Sequence, residues 1–232
     1  MTSNIASKLQ NYSKPDSFAS RLRSRRIKPL VDMIEDVSMR NGSCTIIDIG
    51  GTRAYWNVLD AGFLQSRKVQ VYLLNLEDNG AVDSSDAGGV FALVQGDACS
   101  ELGYAENQFD ICHSNSVIEH VGDWRRMVSF AQNVRRLAPR YFVQTPNYWF
   151  PVEPHAVAPC FQFLPFPARL YLVQRFALGN WRRAQNVDDA VRLVQSARLL
   201  NRAMMASLFP DARLTIERFF GLPKSIIAIK NT

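Results

Sequence analysis

Short apolar runs recur along the chain, separated by longer stretches of mixed polarity, and glycine, asparagine or aspartate bounds most of them. Runs of this length and composition read as strands buried on both faces. Their alternation with helical or loop segments is the pattern of a mostly parallel sheet covered on both sides. Strands are expected at residues 45–49, 69–74, 91–95, 109–114 and 140–145, with two more at 213–219 and 224–229. The short turn Gly221-Leu222-Pro223 joins the last pair, which should therefore form an antiparallel hairpin. The expected fold class is α/β: a doubly wound, seven-stranded, mostly parallel sheet with an antiparallel C-terminal hairpin.

Helical spacing marks the connections. Trp124, Met127, Val128, Ala131 and Val134 recur on one face between residues 123 and 138, Asp123 is placed to cap the start, and Pro139 follows the end. This helix should lay its Trp124 stripe on the sheet. A second helix is expected over 187–209, with Leu193, Ala197, Leu200, Met204 and Leu208 on one side. Residues 16–37 should be helical in two pieces, because Pro29 removes a hydrogen bond and crowds the preceding turn. The chain then divides into an N-terminal helical extension, 1–40, and a main domain, 41–232. Within it, residues from about 147 to 186 hold Pro151, Pro154, Pro159, Pro165 and Pro167 among many aromatics. That stretch is too apolar for a flexible linker and reads as a helical, aromatic lid inserted after the fifth strand.

Composition narrows the class. At 47% hydrophobic and 21% charged, the 232 residues suit a soluble globular protein. No apolar run approaches the roughly 18–20 residues that span a bilayer, and the first residues lack the apolar core of a signal peptide, so a cytoplasmic protein is expected. Cys44, Cys99, Cys112 and Cys160 are widely spaced with no CxxC, which favours reduced thiols. The net charge of +6 concentrates in arginine clusters at 21–26, 125–126, 135–136 and 182–183. These are either solvated helix faces or surfaces for an anionic partner, and contact with the inner membrane face and homodimerisation both stay open.

Candidate chemistry gathers at the carboxyl ends of the expected strands, where open α/β sheets bind ligands. The four segments are Asp48-Ile49-Gly50-Gly51, Asn75-Leu76-Glu77, Gly96-Asp97-Ala98 and His113-Ser114-Asn115-Ser116-Val117-Ile118-Glu119-His120. Through the ordered motifs IIDIGG, VYLLNLE, QGDACSEL, NQFDICHSNSVIEHVGD and RYFVQTPN, the sequence resembles the Rossmann-like S-adenosylmethionine-dependent methyltransferases, particularly the small-molecule group called type 11. The likeness covers residues 40–150 and, more loosely, 187–232.

That resemblance implies S-adenosyl-L-methionine as cofactor. It implies that Gly50 and Gly51 admit the methionine moiety and that Asp48 beneath the loop helps receive its amino group. Asn75 stands where the family usually has an acidic ribose ligand, with Leu76 beside it and Glu77 as the alternative. Gly96, Asp97 and Ala98 would meet the adenine, and Ser114 and Asn115 would line the cofactor site. Arg53 either pairs with the cofactor's carboxylate or, with Tyr55 and Trp56, only seats the following helix. Asp110 reads as structural.

Methyl transfer needs an aligned nucleophile and a dry site, and a hydroxyl nucleophile must also lose its proton. His120 and His155 are the candidate bases, with Glu153 placed to orient His155, whereas His113 inside the fourth strand reads as a buried, satisfied residue. No His, Cys, Asp and Glu grouping shows metal-ligand spacing, so no metal is expected. The expected acceptor is a small molecule, a glycan or a lipid-linked compound, methylated at oxygen. A nicotinamide oxidoreductase is disfavoured because the helix after Gly50 lacks pyrophosphate-admitting glycines. Nucleic acid is disfavoured because no Asn/Asp-Pro-Pro-aromatic element follows the fourth strand. Thr52, Arg53 and Asn75 leave one alternative open, a degenerate methyltransferase-fold protein acting as a binding or scaffold partner.

Overall fold

The computed structural model describes residues 18–76 and 89–231. Helix α1 (Phe18–Asn41) leads into strand β1 (Cys44–Ile49), followed by the short helices α2 (Arg53–Trp56) and α3 (Ala61–Ser66). Strands β2 (Val69–Asn75), β3 (Phe91–Gln95) and β4 (Ile111–Asn115) precede a 3₁₀ turn (Ile118–His120), helix α4 (Trp124–Leu137) and strand β5 (Arg140–Pro146). The insertion contains a two-residue ladder, β6 (Val152–Glu153) with β7 (Ala158–Pro159), and helix α5 (Phe166–Arg175). Helices α6 (Val187–Gln195) and α7 (Arg202–Leu208) lead to β8 (Arg213–Phe219) and β9 (Leu222–Lys230).

Seven strands form one sheet in the order β3-β2-β1-β4-β5-β9-β8, parallel through β5, with β9 antiparallel to both β5 and β8. Alternate side chains divide between two cores, as the strand period requires. Ile47, Ile49, Tyr141, Val143, Ile226 and Ala228 meet α4 and α7 through Phe130, Val134 and Leu208. Ile46, Phe142, Ile227 and Ile229 meet Leu30, Met33, Ile34 and Val37 of α1, together with Trp56.

Four expectations change. First, α1 runs unbroken through Pro29. Proline removes only one helical hydrogen bond, while Ile27 before it is buried and Leu30, Met33 and Ile34 after it pack into the core under the sheet. The helix thus packs into the core on one face of the sheet. Second, Trp124 is 41% exposed, and Met127, Phe130, Ala131, Val134 and Leu137 form the buried stripe of α4. Third, the helix expected over 187–209 is two helices. The intervening backbone bonds elsewhere, with Arg198 N–H donating to Glu119 O (2.7 Å) and Tyr148 N–H to Leu200 O (2.9 Å), and Asn201 then caps α7. Fourth, the hairpin turns at Phe220 and Gly221, both with positive φ (48° and 79°), and Leu222 and Pro223 already pair with β8.

The insertion has its own small core. Ala156, Phe161, Val173, Ala184, Ala190 and Val194 pack together, so the unit extends past residue 186 to include α6. Asp110 is structural, as expected: its carboxylate accepts from Thr45 N–H and Oγ1–H, both at 2.7 Å, joining the amino ends of β1 and β4.

Candidate active site

Asp48 lies at the carboxyl end of β1 and is 1% exposed. Its Oδ2 accepts from Trp56 Nε1–H (2.7 Å), and its Oδ1 accepts from His113 Nδ1 (2.6 Å). His113 Nε2 then faces the Tyr55 hydroxyl at 3.2 Å, so both ring nitrogens have partners. His113 is thus the satisfied buried residue expected, and Tyr55 and Trp56 seat α2 on the β1–β4 seam. This network also explains the glycines. A Cβ on Gly51 would fall 1.9 Å from Asp48 Oδ2, and one on Gly50, at φ +69°, would fall 2.5 Å from Val117 Cγ2. Internal packing therefore requires both glycines, before any ligand is considered.

The other expected cofactor positions lie along the same sheet edge. Asn75 Nδ2–H donates to Gly51 O (3.0 Å), which leaves Oδ1 as the atom able to accept from a ribose hydroxyl. Leu76 beside it is 66% exposed. The alternative ribose ligand, Glu77, lies outside the described residues. Gly96 N–H donates to Asn75 O (2.8 Å), holding the 96–98 turn beside β2, and Ala98 is buried. Asp97 is already engaged: Oδ1 accepts from Cys99 N–H (2.9 Å), Oδ2 from Ser100 Oγ–H (3.0 Å), and both accept from Arg126 Nη2. Burial alone would raise this carboxyl, but these donors outweigh it and hold it below the usual carboxylate range. Ser114 is fully buried and donates to Ile49 O (3.1 Å), which makes its side chain a tie between β4 and β1. Asn115 Oδ1 accepts from Arg26 Nη1 of α1 (3.4 Å), and the guanidinium of Arg53 lies 5.5 Å from the ring centre of Phe91. On this edge Asn75 Oδ1 is the acceptor that a ribose hydroxyl of S-adenosylmethionine would need, whereas the Asp97 carboxylate is occupied by Arg126.

The two candidate bases converge although 35 residues separate them. Ser116, in the left-handed region at φ 56°, turns the chain out of β4 into the 3₁₀ turn that carries Glu119 and His120. His120 Nδ1–H donates to Ser196 O (2.8 Å). His155 Nδ1–H donates to Glu153 Oε1 (2.7 Å), and Glu153 Oε2 accepts from the backbone N–H groups of His155 and Ala156. Glu153 does orient His155. The two Nε2 atoms then face each other at 3.1 Å. Sequence reasoning missed Glu119, which is 1% exposed and whose Oε2 accepts from Thr145 Oγ1–H of β5 (3.0 Å). Burial pushes its carboxyl up to about 7. Burial also pulls His120 below the ordinary histidine value. The signal available in the sequence was adjacency: Glu119 precedes His120 in the same turn.

A cavity of about 320 Å³ abuts this cluster through Glu153 and Trp181, the latter stacked on His155. The insertion and the 194–199 segment wall it, and none of the glycine-loop residues do. Gln162 Oε1 and Arg169 Nε, from residues lining it, are buried without a partner. Some residues of the arginine clusters are paired within the chain: Arg182 forms an exposed bidentate pair with Asp189 (2.7 and 2.8 Å), and Arg136 donates to Leu102 O and Tyr104 O. The cysteines are free thiols, three of them wholly or partly buried and Cys160 exposed, and burial raises Cys44 to about 12 and Cys99 to about 11. Among the described residues no helix is long and apolar enough to cross a membrane.

Residues 51–139 match the profile of a methyltransferase domain. Over 98% of this chain and 57% of the other, the structure is similar to the DszA carbon methyltransferase, at 15% identity and a TM-score of 0.60. A SAM-dependent methyltransferase from Aquifex aeolicus aligns over 97% of this chain and 96% of its own, at 11% identity and a TM-score of 0.46. At 15% identity the likeness to the carbon methyltransferase is one of fold, and the chain spans little more than half of that protein's length. No curated protein matches the sequence.

Proposed function

We propose, from the match of residues 51–139 to a methyltransferase domain and from the seven-stranded sheet with its antiparallel hairpin, that the protein methylates a hydroxyl of a small-molecule, glycan or lipid-linked acceptor from S-adenosylmethionine. The observation that carries this reading is the convergence of Glu119, His120 and His155 at the carboxyl ends of β4 and β5, on the sheet edge that bears the cofactor positions. When bound, the cofactor supplies an electrophilic methyl on a sulfonium sulfur.

The chain's own part is to hold, orient and deprotonate. Asn75 Oδ1 and the 96–98 turn hold the nucleoside. Glu153 and the Ser196 carbonyl direct both imidazole Nε2 atoms to one point, beside which an acceptor hydroxyl can be deprotonated. The cavity under the insertion is large enough for a small acceptor. The buried Arg169 Nε and Gln162 Oε1 favour an acceptor with polar or anionic substituents there.

Calorimetry with S-adenosylmethionine and S-adenosylhomocysteine tests this reading. Binding in the micromolar range is expected, and Asp97→Ala should weaken it about tenfold, the value of one net hydrogen bond. The engaged carboxylate of Asp97 is what favours the alternative, a binding or scaffold protein on this fold. Absence of cofactor binding at high micromolar concentration would overturn the methyltransferase reading.

A further inference from the structure

The Glu119–His120–His155 cluster has a feature that proton transfer alone leaves unexplained. Each histidine has its Nδ1–H committed, one to Ser196 O (2.8 Å) and one to Glu153 Oε1 (2.7 Å), so in the neutral form of each ring Nε2 carries a lone pair. These lone pairs face each other at 3.1 Å and repel unless a positive charge lies between them. Beside them is Glu119, 1% exposed, with Oε1 buried and lacking any partner. A buried carboxylate oxygen left without a donor is rare and points to an ion or water at that position. One donor atom from each of the three residues lies within 4.8 Å of the others.

We propose that Glu119, His120 and His155 bind a divalent transition-metal ion, zinc fitting best, with its remaining coordination position open. Two imidazole nitrogens and one carboxylate oxygen are the donor set such ions accept. Three protein ligands with an open fourth position are the arrangement of catalytic zinc. Nitrogens each about 2.0–2.1 Å from a tetrahedral zinc lie ~3.3 Å apart, close to the spacing already present. The outer partners also match: metal-bound histidines donate their other ring N–H to a carboxylate or a backbone carbonyl, as His155 and His120 do. Thr145 Oγ1–H holds Glu119 Oε2 and leaves Oε1 for the ion. No linear motif announces the site, because His155 reaches it from the insertion.

The role of the ion rests on the methyl-transfer reading. An acceptor hydroxyl bound as its fourth ligand is made more acidic and loses its proton to water. The oxygen lone pair then forms the O–CH3 bond while the S–CH3 electron pair returns to sulfur, leaving neutral S-adenosylhomocysteine.

The test uses the full chain treated with a chelator, then titrated with Zn²⁺ in a calorimeter and with Co²⁺ as a visible probe. The expected result is saturable 1:1 binding with the intense d–d bands of a low-coordinate Co²⁺ site. Glu119→Gln and His155→Ala should abolish those bands. Glu153→Gln, which alters a positioning residue, should weaken binding by about 10–100-fold. Circular dichroism and S-adenosylhomocysteine binding of each variant show that it is folded. Absence of 1:1 binding, or binding unchanged in both ligand variants, overturns the proposal and leaves a proton shared between the rings. Metal-free protein that binds S-adenosylhomocysteine but no metal sinks this inference alone; protein that binds metal but not S-adenosylhomocysteine sinks the methyltransferase reading alone.

Discussion

Gly51 shows how a single residue can look like ligand chemistry and prove to be packing. Asp48 accepts from Trp56 and His113 in the space a Gly51 side chain would occupy, 1.9 Å from Oδ2. Gly51→Ala should therefore destabilise the protein by about 2–3 kcal/mol in urea unfolding without any cofactor present. A residue needed only to admit the cofactor would leave that unfolding curve unchanged. The candidate set was legible from motif order, but the atom each residue uses was not. Asn75 gives one amide N–H to Gly51 O and keeps its carbonyl oxygen as the acceptor, and Ser114 turns inward to Ile49. Such hydrogen bonds join residues 24 and 65 positions apart, beyond what local pattern encodes.

At the scale of the element, strands were the most legible part, because runs buried on both faces stand out from their surroundings whatever they pack against. Helix ends were less so. The break between α6 and α7 arises because the 196–200 backbone bonds to the 3₁₀ turn and to the chain after β5, a tertiary demand that overrides a continuous apolar stripe. The final hairpin carries a measurable misfit. Phe220 is 84% exposed and sits at φ 48°, a conformation that costs a bulky residue ~1–2 kcal/mol. Asn tolerates it better, so Phe220→Asn should raise stability by up to ~1 kcal/mol, less whatever the Phe219–Phe220 edge contact contributes. A lower thermal midpoint in that variant would show the turn to be held by the aromatic pair.

Across the whole molecule, Asp211 joins distant parts: its carboxylate accepts from Tyr141 O–H of β5 (2.6 Å) and pairs with Lys230 of β9 (3.0 Å) and Arg135 of α4 (3.5 Å). Burial would raise this carboxyl, but Tyr141 and Lys230 outweigh it and hold the folded value below the ordinary one. A depressed folded value contributes stability above the unfolded pKa of about 3.9, and that contribution is lost as pH falls through the folded value. Asp211→Asn should thus cost about 1 kcal/mol at neutral pH, discounted for partial exposure, and progressively less below pH ~4. Urea unfolding of both proteins across that range checks the sign.

The sequence by itself determined the sheet, its hairpin and the order of loops at its carboxyl edge, because strand period, buried runs and turn residues are local properties of the chain. Tertiary structure alone decided that α1 completes a core through Pro29, that the insertion includes α6, and that Glu119, His120 and His155 share one point. Those outcomes depend on which side chains meet across long separations. Burial and hydrogen-bond satisfaction select among such meetings only once the whole chain has folded.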